Sequence, residues 1–212
     1  MGLIQRIAHK LLFRHLGYGS RVDRKTWEEQ FHGDAWSYLD SEEESARYYT
    51  IISFYEQFNR EGTLLDVGCG KGVLYKYFKQ KLQLSGNHYT GIDISKNAAT
   101  AAAQQFPDTT FKQIDFEYEN INKKFDLIIF NETLNYFTRP LNTLKKCEER
   151  NLSPGGVFIV SLWDYSGHNG IWKQLDKQYK TILEKEVTNA RSQKWKVKLL
   201  QPLQHRQQVN SL

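Results

Sequence analysis

The chain has 212 residues, 40% hydrophobic and 25% charged, with a formal net charge of +5. That is ordinary for a globular protein with room for one substantial core, and no apolar run is long enough to span a bilayer. Two cysteines, Cys69 and Cys147, make neither a disulfide framework nor a zinc site, so no metal is expected.

The charge is uneven. Residues 165–212 carry nine Lys/Arg against three Asp/Glu, and residues 1–62 carry eight against ten. A basic C-terminal part attracts nucleic acid or acidic lipid, or else is a solvated strand-and-helix face. With no signal-peptide pattern at the start, the expectation is a cytoplasmic protein.

Residues 2–16 place Leu3, Ile4, Ile7, Leu11, Leu12 and Leu16 on one helical face, with Arg6, Lys10 and Arg14 between them. Such a helix lies on a membrane surface or a partner, or packs on its own domain or on a second copy in a homodimer. Gly17 and Gly19 break it. Residues 26–60 are a second helical region, with acids Asp40 to Glu44 at a helix start. Within it, Trp36 is a candidate to cover a ligand and Arg47 to clamp a carboxylate, against the plainer roles of core Trp and surface Arg.

From residue 63 the chain alternates. An apolar run, Leu64-Leu65-Asp66-Val67, leads into Gly68-Cys69-Gly70-Lys71-Gly72, and a helix pattern starts at Val73. Strand, glycine turn, helix is the form of a nucleotide-cofactor loop, because glycine lets the backbone turn tightly and approach a ligand. A dinucleotide fingerprint wants glycine at position 73, where valine stands, which counts against a nicotinamide dehydrogenase. Asp66, just before the first glycine, suits a cationic ligand better than a pyrophosphate.

Further strands are predicted at residues 89–94, 109–114, 125–130 and 157–163, with helices between them beginning at Ser95 and Leu141 and a turn at 151–156. Strands separated by helices imply a parallel sheet with right-handed crossovers. After Trp163 comes a helix at 171–179, then alternating segments at 181–187 and 195–200 joined by a turn, an antiparallel pair at one edge. Ligands of such sheets bind beyond the carboxyl ends of the strands, where Asp66, Asp93 and Asp115 lie. Asp93 is placed to take the hydroxyls of a ribose, and Asp115 to take an adenine amino group with Phe116 beside the ring.

LLDVGCGKG, GIDIS, the Asp115-Phe116 pair, FDLIIFNETLNYF and LSPGGVFIVSLW resemble the successive motifs of class I S-adenosylmethionine (SAM)-dependent methyltransferases, over about residues 63–163. The resemblance implies an α/β, Rossmann-like seven-stranded sheet of order 3-2-1-4-5-7-6 with the last strand antiparallel. It implies SAM as cofactor and S-adenosylhomocysteine (SAH) as product. It implies a cofactor site of Gly68, Cys69, Gly70, Gly72, Asp66, Asp93, Ile94, Asp115, Phe116 and the backbone of Asn131. A helical segment, residues 1–62 with Trp36 and Arg47, would cover the cofactor domain of residues 63–212.

Asn131-Glu132-Thr133-Leu134 lacks the Pro-Pro-aromatic signature of base-amine methylation, neither cysteine fits base C5 chemistry, and no RNA-binding module is present. The acceptor expected is a small molecule, in secondary metabolism or in sugar or lipid tailoring, with no nucleic acid. Methyl transfer is a direct displacement that needs alignment, dryness and, for a protonated acceptor, a base. Glu132 and His168 are the candidate bases, and Tyr136, Tyr165 and Trp163 are candidate acceptor-pocket rings. A macromolecular acceptor bound through the basic tail, or a SAM-binding protein without turnover, are the alternatives.

Overall fold

A computed structural model describes residues 14–33, 35–58 and 61–203. Seven strands form one sheet: β1 (Leu64–Val67), β2 (Tyr89–Asp93), β3 (Thr110–Gln113), β4 (Phe125–Asn131), β5 (Leu152–Trp163), β6 (Tyr179–Thr188) and β7 (Lys194–Pro202). Their order is β3-β2-β1-β4-β5-β7-β6, as the family resemblance implies. The first five pair in parallel, and β7 runs antiparallel to both β5 and β6. The chain moves outward from β1 to β3 and then returns to β4 on the other side of β1. The switch in strand order therefore falls beside β1, where an open α/β sheet leaves a crevice.

Helices α1 (Arg24–His32), α2 (Glu42–Phe58), α3 (Val73–Leu82), α4 (Lys96–Gln105), α5 (Pro140–Asn151) and α6 (Asn169–Gln178) surround the sheet. Alternation along β4 shows how both faces are filled. Leu127 and Ile129 join the core with Ile51, Ile52 and Tyr55 of α2 and Phe78 of α3. Ile128 and Phe130 join the other core, with Leu144 of α5 and Leu175 of α6. All ten of these residues are buried, and β4, covered on both faces, reads as an almost unbroken apolar run.

Three local expectations change, and a fourth lies mostly outside the described residues. Residues 26–60 are not one helical region: α1 stops at the extended backbone of Gly33, a 3₁₀ turn covers Ser37–Asp40, and α2 follows. Residues 152–156 are not a free turn but the start of β5. There the pairing with β4 jumps from Phe125↔Leu152 to Leu127↔Val157, a bulge that accommodates Pro154 and the left-handed Gly155 (φ 78°). The C-terminal strands are longer than their alternating cores and close through a turn in which the Asn189 side chain accepts from the N–H of Arg191 and of Gln193. Of the predicted amphipathic helix at 2–16, only a 3₁₀ turn at Arg14–Leu16 falls within the described residues. The rest of that helix, and any membrane or homodimer contact it makes, lie outside them. No described helix is long and apolar enough to cross a membrane.

Candidate active site

A cavity of about 380 Å³ opens at the carboxyl ends of β1, β2 and β4. Its floor is the turn after β1. Gly68 (φ 79°) donates its N–H to Ile92 O at 2.7 Å, and a Cβ there would sit 2.2 Å from Thr133 Cγ2. Thr133 cannot easily retreat, because its hydroxyl donates to Val67 O at 2.8 Å. Position 68 thus requires glycine twice, for its left-handed backbone and for space. Gly70 (φ 55°) donates its N–H to Asp93 Oδ2 at 2.9 Å, which ties the turn to the end of β2. Gly72 sits apart from the cavity lining, at the start of α3, with its Cα facing Phe106 and Ala102.

Two buried carboxylates flank this turn. Asp66 Oδ2 accepts from the Tyr89 hydroxyl, while Asp66 Oδ1 has no partner. Burial pushes the Asp66 carboxyl up to about 7, against the Tyr89 hydrogen bond that pulls it down. Asp93 is pushed up to about 6 by burial, with the N–H groups of Ser95 and Gly70 opposing. An acid held in a dry site with an open oxygen is poised for a cationic partner. Cys69 is buried, and burial together with Asp93 and Asp66 pushes its thiol up, so it lines the cavity as an unreactive apolar group.

Ile94, Asp115 and Phe116 line the cavity beyond β2 and β3. Asp115 is already engaged by a cation from ahead of α1. Arg21 Nη2 lies 2.5 Å from its Oδ2, while Arg21 Nη1 reaches Glu117 at 2.7 Å. The Arg21 guanidinium also lies 4.6 Å from the centre of the Tyr118 ring. Arg21 escaped the sequence reading because nothing local marks it.

The roof is aromatic. Trp27 and Phe31 of α1, Trp36, Tyr38 and Tyr136 line the cavity. Trp27 stands 5.7 Å from Trp36 and 5.0 Å, edge-on, from Tyr136. Polar contacts hold α1 over the sheet. Glu28 accepts from Ser95 Oγ and from the N–H groups of Lys96 and Asn97, at 2.6–3.0 Å, and so caps the positive end of α4 from another helix.

Arg47 and Glu132 line the far side. Arg47 is 2% exposed; its Nη2 lies 2.9 Å from Glu44 Oε2, and its guanidinium sits 5.0 Å from the Tyr48 ring and 5.1 Å from Trp195. Its Nε has no partner. Glu132 has a left-handed backbone (φ 60°), which is uncommon outside glycine and marks a strained position at a cavity edge. Its carboxylate accepts from Ser161 Oγ at 3.3 Å. Burial pushes it up to about 7, although Arg47 and the N–H of Trp163 pull it down. The Asn131 side-chain oxygen beside it is buried and unpartnered.

His168 is not brought to the cavity. Its Nδ1 lies 2.9 Å from Trp163 O, and its ring stands edge-on to Tyr165 at 5.5 Å. Tyr165 stacks outside on Trp163, which does line the cavity.

Three buried polar atoms without partners, Arg47 Nε, Asp66 Oδ1 and Asn131 Oδ1, therefore belong to residues around one space. A ligand bearing both an ammonium and a carboxylate, with a nucleoside on the Asp93 side, fits that donor and acceptor set.

A family model described as a methyltransferase domain matches residues 58–207. The chain is 28% identical over 130 residues to malonyl-(acyl-carrier protein) O-methyltransferase from Priestia megaterium, covering 60% of this chain and 45% of that protein. It spans less than half the length of this and other curated relatives. Its fold is like that of the N-methyltransferase NodS from Bradyrhizobium japonicum in complex with SAH, with a TM-score of 0.70 at 15% identity over 84% of this chain and 97% of that one. It is also like that of the 1,6-didemethyltoxoflavin-N1-methyltransferase from Burkholderia thailandensis, with a TM-score of 0.67 at 16% identity over 95% and 91%. Because the family model takes in every strand of the sheet and the whole glycine turn, this chain belongs to the methyltransferase-domain family.

Proposed function

We propose that the chain is a SAM-dependent methyltransferase that moves a methyl group to an oxygen or nitrogen of a small molecule, in a secondary-metabolic role. The observation that carries this reading is the set of unpartnered buried atoms, Arg47 Nε, Asp66 Oδ1 and Asn131 Oδ1, around a glycine turn. In it, Asp66 takes the amino group of the cofactor, Arg47 its carboxylate, Asp93 its ribose and Asp115, shared with Arg21, its adenine. Bound there, SAM supplies an already activated sulfonium methyl.

The protein's own work is then alignment and exclusion of water. In this reading the described part of the N-terminal segment, residues 1–62, acts as a lid, with Trp27, Phe31 and Trp36 closing over the cavity. Glu132 holds the acceptor's proton, since it lines the cavity and His168 does not. The macromolecular alternative draws little support from the basic C-terminal part, because Lys196 and Lys198 are paired with Glu184, Glu186 and Asp176. The test is transfer of labelled methyl from SAM to a fractionated small-molecule extract. Label in a low-mass product supports the reading; label only in polymer, or none, removes it.

A further inference from the structure

We infer that the acceptor end of this cavity is a site for a protonated amine, with Glu132 and Glu44 as its counter-charges, so that the methyl is received by an amine nitrogen. The inference rests on the methyltransferase reading above and narrows it.

The charged side chains that line this end of the cavity are Glu44, Arg47 and Glu132; outside the lining, Arg191 pairs with Glu43 at 2.9 Å, and the two act on Glu44 with opposite signs. Within the lining, the Arg47 guanidinium stands between the two carboxylates, and its direct ion pair, at 2.9 Å, is with Glu44. Among the described residues, Glu132 accepts from two neutral groups, Ser161 Oγ and the N–H of Trp163. Arg47 Nε remains unpartnered and buried, and an anion such as the carboxylate of SAM would take it. That anion would leave the site further short of positive charge. Burial also raises the Glu44 carboxyl, so both acids gain from a cation placed between them.

The walls suit the same ligand. Tyr38, Tyr136, Trp163 and Trp195 line this end, and Tyr38 and Trp163 are 50% and 47% exposed at its mouth. Aromatic faces attract ammonium groups, whereas two carboxylates repel an anionic acceptor. A neutral hydroxyl needs one base and gains nothing from the second acid.

The step balances. The ammonium gives one proton to the Glu132 carboxylate and becomes a neutral amine. Its lone pair forms the new C–N bond to the sulfonium methyl as the C–S bond breaks, with that pair going to sulfur. The products are a methylammonium, a neutral thioether and a protonated Glu132, which releases its proton to solvent.

The test is calorimetric titration of the full chain, first with SAH and then, loaded with SAH, with matched pairs: benzylamine against benzyl alcohol, and phenethylamine against 2-phenylethanol. The expected result is saturable amine binding at least about tenfold tighter than the alcohols. Glu132→Gln and Glu44→Gln should each cut amine affinity by about tenfold while SAH still binds, which shows that the variants fold. Equal binding of the pairs, tighter alcohols, or no amine binding to the SAH-loaded protein overturns the amine site and leaves the methyltransferase reading standing. Failure of SAH itself to bind removes that reading instead.

Discussion

Arg21 Nη2 lies 2.5 Å from Asp115 Oδ2 across 94 residues of sequence, and joins the segment ahead of α1 to the loop that follows β3. Both residues line the cavity, so the contact closes one end of it. Arg21→Ala should weaken SAH binding by about fivefold, mostly through faster release, since a partly exposed ion pair contributes on the order of 1 kcal/mol. Stopped-flow dissociation of SAH checks this, and an unchanged release rate would show that Arg21 does not hold the cavity shut.

Asp66 sets a pH dependence. Its carboxyl is raised to about 7 in the fold, against 3.8 in an unstructured chain. Between those values the folded state keeps a proton that the unfolded state has lost, so its contribution to stability is full below about 4 and falls as pH rises to about 7, by on the order of 4 kcal/mol at most. Asp66→Asn should flatten the melting temperature over that range. The ligand ammonium favours the ionised form, so SAH affinity should rise about tenfold from pH 6 to pH 8 in the parent protein and stay level in Asp66→Asn. Titrations at the two pH values decide it.

Gly68→Ala should be strongly destabilising, because its Cβ would lie 2.2 Å from Thr133 Cγ2 on a left-handed backbone. A cost of about 2–4 kcal/mol is expected from overpacking and backbone strain together. Adding Thr133→Ser deletes the colliding methyl and keeps a hydroxyl for Val67 O, so the double variant should recover part of that loss in urea unfolding. No recovery would mean that the clash is not the cause.

Glu28→Ala removes a cap that α4 receives from α1. The expected loss is about 1–2 kcal/mol of stability. SAH affinity should fall as well, because α1 carries Trp27 and Phe31 of the roof. Loss of stability with unchanged affinity would separate α1 from the cofactor site.

The sheet was legible because parallel strands buried on both faces carry unbroken apolar runs, as at β4, and because glycines at 68 and 70 announce the turn after β1. Asp66, Asp93 and Asp115 were legible as strand-end acids. Their partners were not, since Arg21 and Glu28 reach them or their neighbours across the fold and no local pattern encodes such a contact. The bulge that begins β5 was hidden because Pro154-Gly155-Gly156 has the composition of a turn. His168 looked like a base by residue type alone, and only the geometry shows it turned toward Trp163 O. The left-handed backbone of Glu132 has no sequence signature, because it follows from the way β4 ends against Ser161.

Calorimetric titration of the parent protein and Asp93→Ala with SAH, and of the parent with NAD, decides whether this cavity is a SAM site. Saturable SAH binding by the parent, a loss of at least about tenfold in an Asp93→Ala protein that still unfolds cooperatively, and no response to NAD are expected. An Asp93→Ala protein that binds SAH as the parent does, or a parent that takes NAD and not SAH, would contradict the site.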